Sequence, residues 1–353
     1  MDNHSFRSIV PTGRFFSSPR PLRPWAAAMA LALLLLAAGA GLGLAKLTIS
    51  VIDVGHGDAI LVQFPNGQEM LVDAGKQGAG AQVVAYLQKR GVKDLELLVA
   101  THPDEDHIGG IPAVLASGIP VAKAWVSGYE PKKPTGVQKA FAAALQQQVT
   151  AETPVAGEQI SFGAATVTVV APLALRSFSN VNDNSVVLMV CYGKTSALLP
   201  GDMEEKERAS VPSWRETTVL KVAHHGSENG TDRTFLQALK PTYAVISDDK
   251  EEGHGSQPVG PLLKSELGQY YSTASYGTVI FTSDGTSFKC YPTRVPATTT
   301  ITAPATDTNQ VYVTHRGSKY HRDGCRYLGT PRTALTKAQA AAKGYTPCKA
   351  CMQ

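Results

Sequence analysis

Cysteine is scarce: five occur in 353 residues, which excludes a small disulfide-stapled scaffold. Charge is modest as well. Only 18% of residues are charged against 43% hydrophobic, so a disordered or collagen-like chain is excluded and material for a core is ample. No internal repeat is visible. Beyond residue 45 no apolar run is long enough to span a bilayer, which excludes a channel built by this chain alone. The length is large for one domain and small for three.

What is present is unevenly distributed. The net charge of +4 divides into +3 over residues 1–45, +7 over residues 311–353 and −6 between them. The acidic middle and the basic tail point to different tasks, and the tail suits an acidic partner. At the front, Arg7, Arg14, Arg20 and Arg23 precede residues 25–45, which carry no charge. That pattern is expected of a signal peptide or a signal anchor. The arginines would hold the N-terminus inside, so the rest of the chain is expected to be exported, either secreted or tethered through residues 25–45. Ala38-Gly39-Ala40 and Gly43-Leu44-Ala45 both offer small residues for cleavage.

The apolar periodicity predicts strands at residues 47–53, 59–64, 69–72, 95–100, 165–171, 185–192, 195–200, 218–222 and 242–246. Helices are expected at residues 81–90, 139–148 and 232–239. Residues 277–282 and 287–291 read as a hairpin. Alternating strands and helices with several hairpins indicate a layered α/β domain over residues 46–291 with mixed sheets. Residues 292–310, rich in Thr, Ala and Pro, read as an extended linker. A compact basic module fills residues 311–353.

Directly after the strand at 95–100 comes Thr101-His102-Pro103-Asp104-Glu105-Asp106-His107-Ile108-Gly109-Gly110. Imidazole and carboxylate are ligands of divalent metals. On an extended segment His102, Asp104 and Asp106 share a face, and His107 turns toward a second ion as a helix begins. Leu198-Leu199-Pro200-Gly201-Asp202 puts one acid at a strand end, and Leu220-Lys221-Val222-Ala223-His224-His225-Gly226-Ser227 puts a histidine pair at another. Asp53-Val54-Gly55-His56-Gly57-Asp58 is a tight loop with two acids. Any one of these alone reads as a helix cap, a surface pair or a turn. Together they hold five of the nine histidines, and the set reads as a metal centre.

These stretches, with Leu71-Val72-Asp73-Ala74-Gly75 and Asn182-Asp183-Asn184-Ser185, resemble the metallo-β-lactamase superfamily, and within it the nuclease-like domain of the ComEC DNA-uptake branch. The resemblance covers about residues 47–290 and implies an αββα sandwich with a two-metal site at one edge. It implies that His102 and Asp104 serve one ion, that Asp106, His107 and one of His224 and His225 serve the other, and that Asp202 bridges. His102, Asp106 and Asp202 would then carry catalysis through a metal-activated water. Asp53, Asp58, Asp73, Asn182 and Ser185 would support the ligand loops or face substrate.

This chain departs from the family pattern in several places. Asp104 stands at the usual second histidine, a change the DNA-uptake branch shares. Asn182-Asp183-Asn184-Ser185 occupies the region of the usual third histidine. The resulting oxygen-richer site tilts from Zn²⁺ toward Mn²⁺. His56 stands where the branch usually has Gln, and Gly253-His254-Gly255 stands for Gly-His-Pro. The membrane helices of the uptake proteins have no counterpart in the sequence.

The tail carries His321-x3-Cys325, then 22 residues, then Cys348-x2-Cys351. Three thiolates and one imidazole suit a closed structural zinc site, and a module this short needs such a staple. A disulfide is the competing reading, with one cysteine left over. The tail resembles small zinc modules appended to secreted nuclease-like proteins. Its charge, interleaved with Tyr312, Tyr320, Tyr327 and Tyr345, suits nucleic acid, while an anionic cell envelope is the other partner it fits. Cys191 and Cys290 are expected to be buried thiols. The functional expectation is an exported metal-dependent hydrolase of phosphodiesters, with DNA as substrate. The alternatives are a metallohydrolase of a small extracellular substrate and a non-catalytic DNA-capture protein.

Overall fold

A computed structural model describes residues 46–174, 178–249, 259–295, 310–314, 317–322, 325, 327–328 and 332–352. The expected export segment at 1–45, His254 and residues 296–309 of the expected linker lie outside these residues, whereas Pro292 ends a strand and Gln310 begins one. Among the described residues, no helix is long and apolar enough to cross a membrane. The chain divides into two compact units, one ending at Val295 and the other spanning Pro296–Gln353.

The first unit is built on two sheets. In chain order the strands are β1 Leu47–Val51, β2 Ile60–Gln63, β3 Glu69–Val72, β4 Leu97–Ala100, β5 Ala124–Val126, β6 Ala151–Glu152, β7 Gln159–Phe162, β8 Ala165–Ala171, β9 Val187–Tyr192, β10 Thr195–Leu199, β11 Val219–Lys221, β12 Tyr243–Ile246, β13 Tyr271–Ser272, β14 Val279–Ser283 and β15 Phe288–Pro292. The first sheet runs β15-β14-β1-β2-β3-β4-β5-β6 and the second β13-β12-β11-β10-β9-β8-β7. Strands β3 to β6 pair parallel, as do β10 to β13, and the rest pair antiparallel.

The near-continuous apolar runs have a simple cause: both faces of each sheet are covered. Ile49, Val62, Met70 and Val99 of the first sheet meet Val167, Leu188, Leu199 and Val245 of the second in a central core. The alternate residues Leu61, Leu71 and Leu98 face outward onto the helices Gly80–Lys89, Ile111–Leu115 and Gly136–Gln148. Met189, Leu198, Leu220 and Ile246 face the helices Arg233–Leu239 and Gly260–Leu267. The layers are therefore αββα. The helix expected from residue 139 begins at Gly136 because Thr135 and Gln138 form a reciprocal capping box.

The second unit pairs Gln310–Thr314 with Arg332–Thr336 antiparallel and Lys319–Tyr320 with Thr346–Pro347 parallel. Among its described residues the buried apolar cluster is Val311, Val313 and Ala340, which is too small to hold such a module alone.

Candidate metal centre

Strands β1, β3, β4, β10, β11 and β12 all lead into loops at one edge of the sandwich, where the polar clusters gather. Asp73 organises them. It leaves β3 in left-handed backbone with φ 56 and is fully buried. Its Oδ1 accepts the Thr101 N–H at 2.8 Å, and its Oδ2 accepts the Thr101 hydroxyl at 2.7 Å and lies 2.7 Å from His107 Nδ1. A carboxylate only accepts, so His107 Nδ1 carries a proton and Nε2 faces the centre. The Thr101 hydroxyl hydrogen is committed to Asp73. Its oxygen therefore accepts from His102 Nδ1, 3.1 Å away, and His102 Nε2 also turns inward. One carboxylate thus orients two imidazoles.

The second sheet supplies the facing half. Asp202, after β10, places Oδ1 3.2 Å from His107 Nε2 and Oδ2 3.4 Å from His225 Nε2. The same Oδ2 is 3.8 Å from both His102 Nε2 and His224 Nε2. His225 lies 2.9 Å from the Ser247 carbonyl through Nδ1, so it donates there and aims Nε2 at Asp106 Oδ2, 3.3 Å away. His224 and His225 both adopt left-handed backbone, with φ 48 and 50. Such strain persists only where the surroundings enforce it. His224 is the more exposed of the pair and rests its Nδ1 on Glu204 Oε1 at 3.0 Å.

The turn carrying the first cluster differs from an extended segment. Asp104 caps a helical turn, Glu105–Ile108, and its carbonyl accepts from the backbone of His107 and Ile108. Asp106 is therefore rotated away from His102 and Asp104. Asp104 remains 3.6 Å from His102 Nε2 with its side chain 39% exposed. Asp106 instead joins His225 and His56, whereas His107 gathers with His102 and Asp202. His107 Nε2 is also 3.3 Å from His225 Nε2, so the two groups adjoin.

The flanking residues sort by what they touch. Asp58 is buried beside the fully buried Lys221, with 2.8 Å from Nζ to Oδ1, and it also accepts the Ser247 hydroxyl. Asn182 donates to Glu204 Oε1 at 3.0 Å, and Ser185 donates its hydroxyl to Asn182 O and its N–H to Glu207 Oε2. Asp53 lies outside these groups, paired with Arg294 at 3.0 Å. Sequence reasoning missed Lys221, Glu204 and Glu207. The only signal for Lys221 is a lone lysine inside an apolar strand run ahead of His224-His225.

The electrostatics follow from burying so many acids together. Burial lowers the His225 pKa, but Asp202, Asp106 and Asp58 outweigh it and push the group up to about 10. His107 is raised well above the ordinary range in the same way, burial being overcome by Asp202 and Asp73. Burial raises Asp106 and Asp202, yet the histidines around them hold both well below the usual carboxylate range. Asp58 is lowered because Lys221 overcomes its burial. Glu207 goes the other way: burial pushes it up, Ser185 N–H opposes, and Asp183 adds to the rise.

The donor set fits divalent metal. His102 Nε2 is buried and has no hydrogen-bond partner among the described residues. The buried acids Asp73 and Asp202, with Asp106 nearby, need positive charge that Lys221 alone does not provide. Imidazole and carboxylate converging from both sheets are the ligands such ions take.

The family model for the metallo-beta-lactamase superfamily matches residues 52–247, which hold His56, His102, Asp104, Asp106, His107, Asp202, His224 and His225. The chain belongs to the metallo-β-lactamase superfamily. Members of this superfamily are generally metal-dependent hydrolases. The chain is 32% identical over 257 residues to ComE operon protein 3 of Bacillus subtilis, a match covering 65% of this chain and 32% of that protein. It is 29% identical to Recombination protein 2 of Haemophilus influenzae, covering 57% and 24%, and 29% identical to Competence protein ComA of Neisseria gonorrhoeae, covering 64% and 30%. This metallo-β-lactamase chain therefore spans a third or less of the length of these curated relatives.

The tail unit has its own cluster. His321, Cys325, Cys348 and Cys351 bring one ligand atom each within 4.8 Å of one another. His321 Nδ1 is 3.3 Å from Cys325 Sγ and 4.0 Å from Cys351 Sγ. All five cysteines are free thiols. Cys191 and Cys290 are half-buried, and burial pushes the Cys290 thiol up to about 11.

Proposed function

We propose that this chain is an exported, two-metal phosphodiesterase that cuts DNA. The observation that carries the hydrolase reading is Asp202, whose two carboxylate oxygens reach His107 and His102 of the opposite sheet and His225 and His224 of its own. One carboxylate placed among four imidazoles is positioned to be shared by two ions. His102, Asp104, Asp106, His107, Asp202 and His225 would hold them, with His224 at the exposed rim.

Two bound divalent ions, Zn²⁺ or Mn²⁺, would supply Lewis acidity, a nucleophilic water at neutral pH, and stabilisation of both the attacking and leaving oxygens at phosphorus. The chain's residues set the stage for that chemistry. Asp73 keeps Nε2 of His102 and His107 inward, the Ser247 carbonyl does the same for His225, and Lys221 neutralises Asp58 behind it. Glu204 steadies His224 at the edge that substrate would approach.

Three further features support DNA as substrate. The matched relatives are named competence and recombination proteins. The tail carries eight Lys/Arg against one acid, which favours a polyanion. A zinc ion in its Cys3His cluster would hold that basic surface together. Export and membrane tethering rest on residues 1–45, with their four arginines and uncharged run.

The test is plasmid nicking by the full-length protein with Mn²⁺ or Zn²⁺, beside Asp106→Ala and an EDTA control. Cleavage that needs metal and disappears in the variant supports the reading. If a metal-loaded protein leaves DNA intact but hydrolyses bis-p-nitrophenyl phosphate, the substrate is a small phosphodiester. Salt-sensitive DNA retention without any cleavage would make the chain a capture protein instead.

A further inference from the structure

We propose that His56 is a direct ligand of the ion held by Asp106 and His225. The inference rests on the metal reading of the centre and adds a residue from a loop otherwise read as a support. That loop is built against the ligand turn. The Asp58 N–H donates to the Asp106 carbonyl at 3.1 Å. The His56 N–H donates to Asp249 Oδ2 at 3.2 Å. Gly57, at φ 132, lies so close that a Cβ there would stand 2.3 Å from the Asp106 carbonyl oxygen. No other residue type fits that approach, so the backbone on both sides of His56 is fixed relative to Asp106.

The imidazole is thereby carried to the face of Asp106 that looks toward His225. His56 Nε2 is 3.2 Å from Asp106 Oδ2, and the His56 and His225 ring centroids are 4.4 Å apart. His56, Asp106 and His225 each offer a ligand atom, all within 4.8 Å of one another. Four ligands at about 2.0–2.1 Å around one ion stand about 3.3 Å from each other. The distances from Asp106 Oδ2 to His56 and to His225, 3.2 and 3.3 Å, have that spacing. The outer nitrogen of His56 is also where a ligand's would be. Nδ1 faces Asp248 Oδ1 at 4.0 Å, and Asp248 is buried and tied to Thr273. At that separation no hydrogen bond joins them, but the carboxylate lies on the side where a metal-bound imidazole commonly finds the acceptor for its second N–H.

The consequence is chemical. With His56 included, one position draws nitrogen from His102 and His107 and the other from His56 and His225, with Asp202 between them. Two imidazoles at each position favour Zn²⁺ over Mn²⁺, reversing the preference of an oxygen-rich centre.

The competing role for His56 is a hydrogen-bond donor to Asp106, which glutamine could reproduce. The test therefore compares full-length wild type, His56→Gln and His56→Ala, each checked for folding by circular dichroism. Chelator competition measures Zn²⁺ and Mn²⁺ affinity, and Co²⁺ difference spectra report the ligand field, the tail cluster contributing equally in all three. The expected result is at least a tenfold loss of Zn²⁺ affinity for one equivalent in both variants, a smaller change for Mn²⁺, and altered Co²⁺ bands. Wild-type affinity and spectrum in His56→Gln would overturn the proposal while leaving the two-metal reading intact. Failure of the wild type to bind any metal beyond the tail's equivalent would overturn both.

Discussion

Asp73 Oδ2 stands 2.7 Å from His107 Nδ1, and the same carboxylate accepts both the hydroxyl and the backbone N–H of Thr101. Asp73 itself sits in left-handed backbone, which asparagine tolerates better than alanine. Asp73→Asn is therefore expected to fold and to lose about 10- to 100-fold in metal affinity. Chelator competition is the measurement. An unchanged affinity would mean that the imidazoles are oriented by other contacts.

Lys221 and Asp58 form a buried ion pair at 2.8 Å. Removing only the cation leaves a carboxylate without its partner, at a cost of about 3–5 kcal/mol. Lys221→Met should lower urea stability by that order, and Lys221→Met combined with Asp58→Asn should recover most of it. A double variant no more stable than the single one would show that the lysine acts through packing alone.

The metal-free protein should become less stable as it is made alkaline. His225 is raised from about 6.5 in the unfolded chain to about 10 in the folded one. Its contribution is complete below the lower value and is lost as pH rises through the higher, on the order of a few kcal/mol. Thermal melts of chelated protein between pH 6.5 and 10 test this. Metal binding should release protons at neutral pH, because an ion takes the place of the proton on Nε2.

The tail should depend on metal for its structure while the sandwich does not. Among its described residues the buried apolar cluster holds three side chains, and its four ligands come from well-separated parts of the module. Hydrogen exchange after chelation at pH 7 is expected to show loss of protection across residues 310–352, with the strands of the sandwich still protected. Protection that survives chelation and Cys348→Ser would remove the zinc requirement.

Most of the sandwich was legible because each strand is covered on both faces. Runs such as Leu97-Leu98-Val99-Ala100 announce themselves by apolar content alone, without needing period-two contrast. The ligand turn was less legible. An extended reading aligns His102, Asp104 and Asp106, but Asp104 caps a helical turn and moves Asp106 to the other side. Parity arguments fail where a strand becomes a helix within one or two residues. Glu204, Glu207 and Lys221 were invisible for another reason: each acts through a partner more than twenty residues away in sequence or in another strand. The Asn182-Asp183-Asn184-Ser185 stretch was recognisable as part of the site, but its task of gripping those glutamates is a matter of tertiary placement.

Asp202, His224 and His225 leave strands of the second sheet, while His56, His102, Asp106 and His107 leave strands of the first. Neither sheet owns a complete set of donors. Ions bound there would act as rivets through the seam of the sandwich, and their binding energy would be felt as adhesion between its two halves. A chain with both sheets formed but not yet pressed together would offer only partial ligand sets. Metal bound there would then be a report that the two halves have met in register.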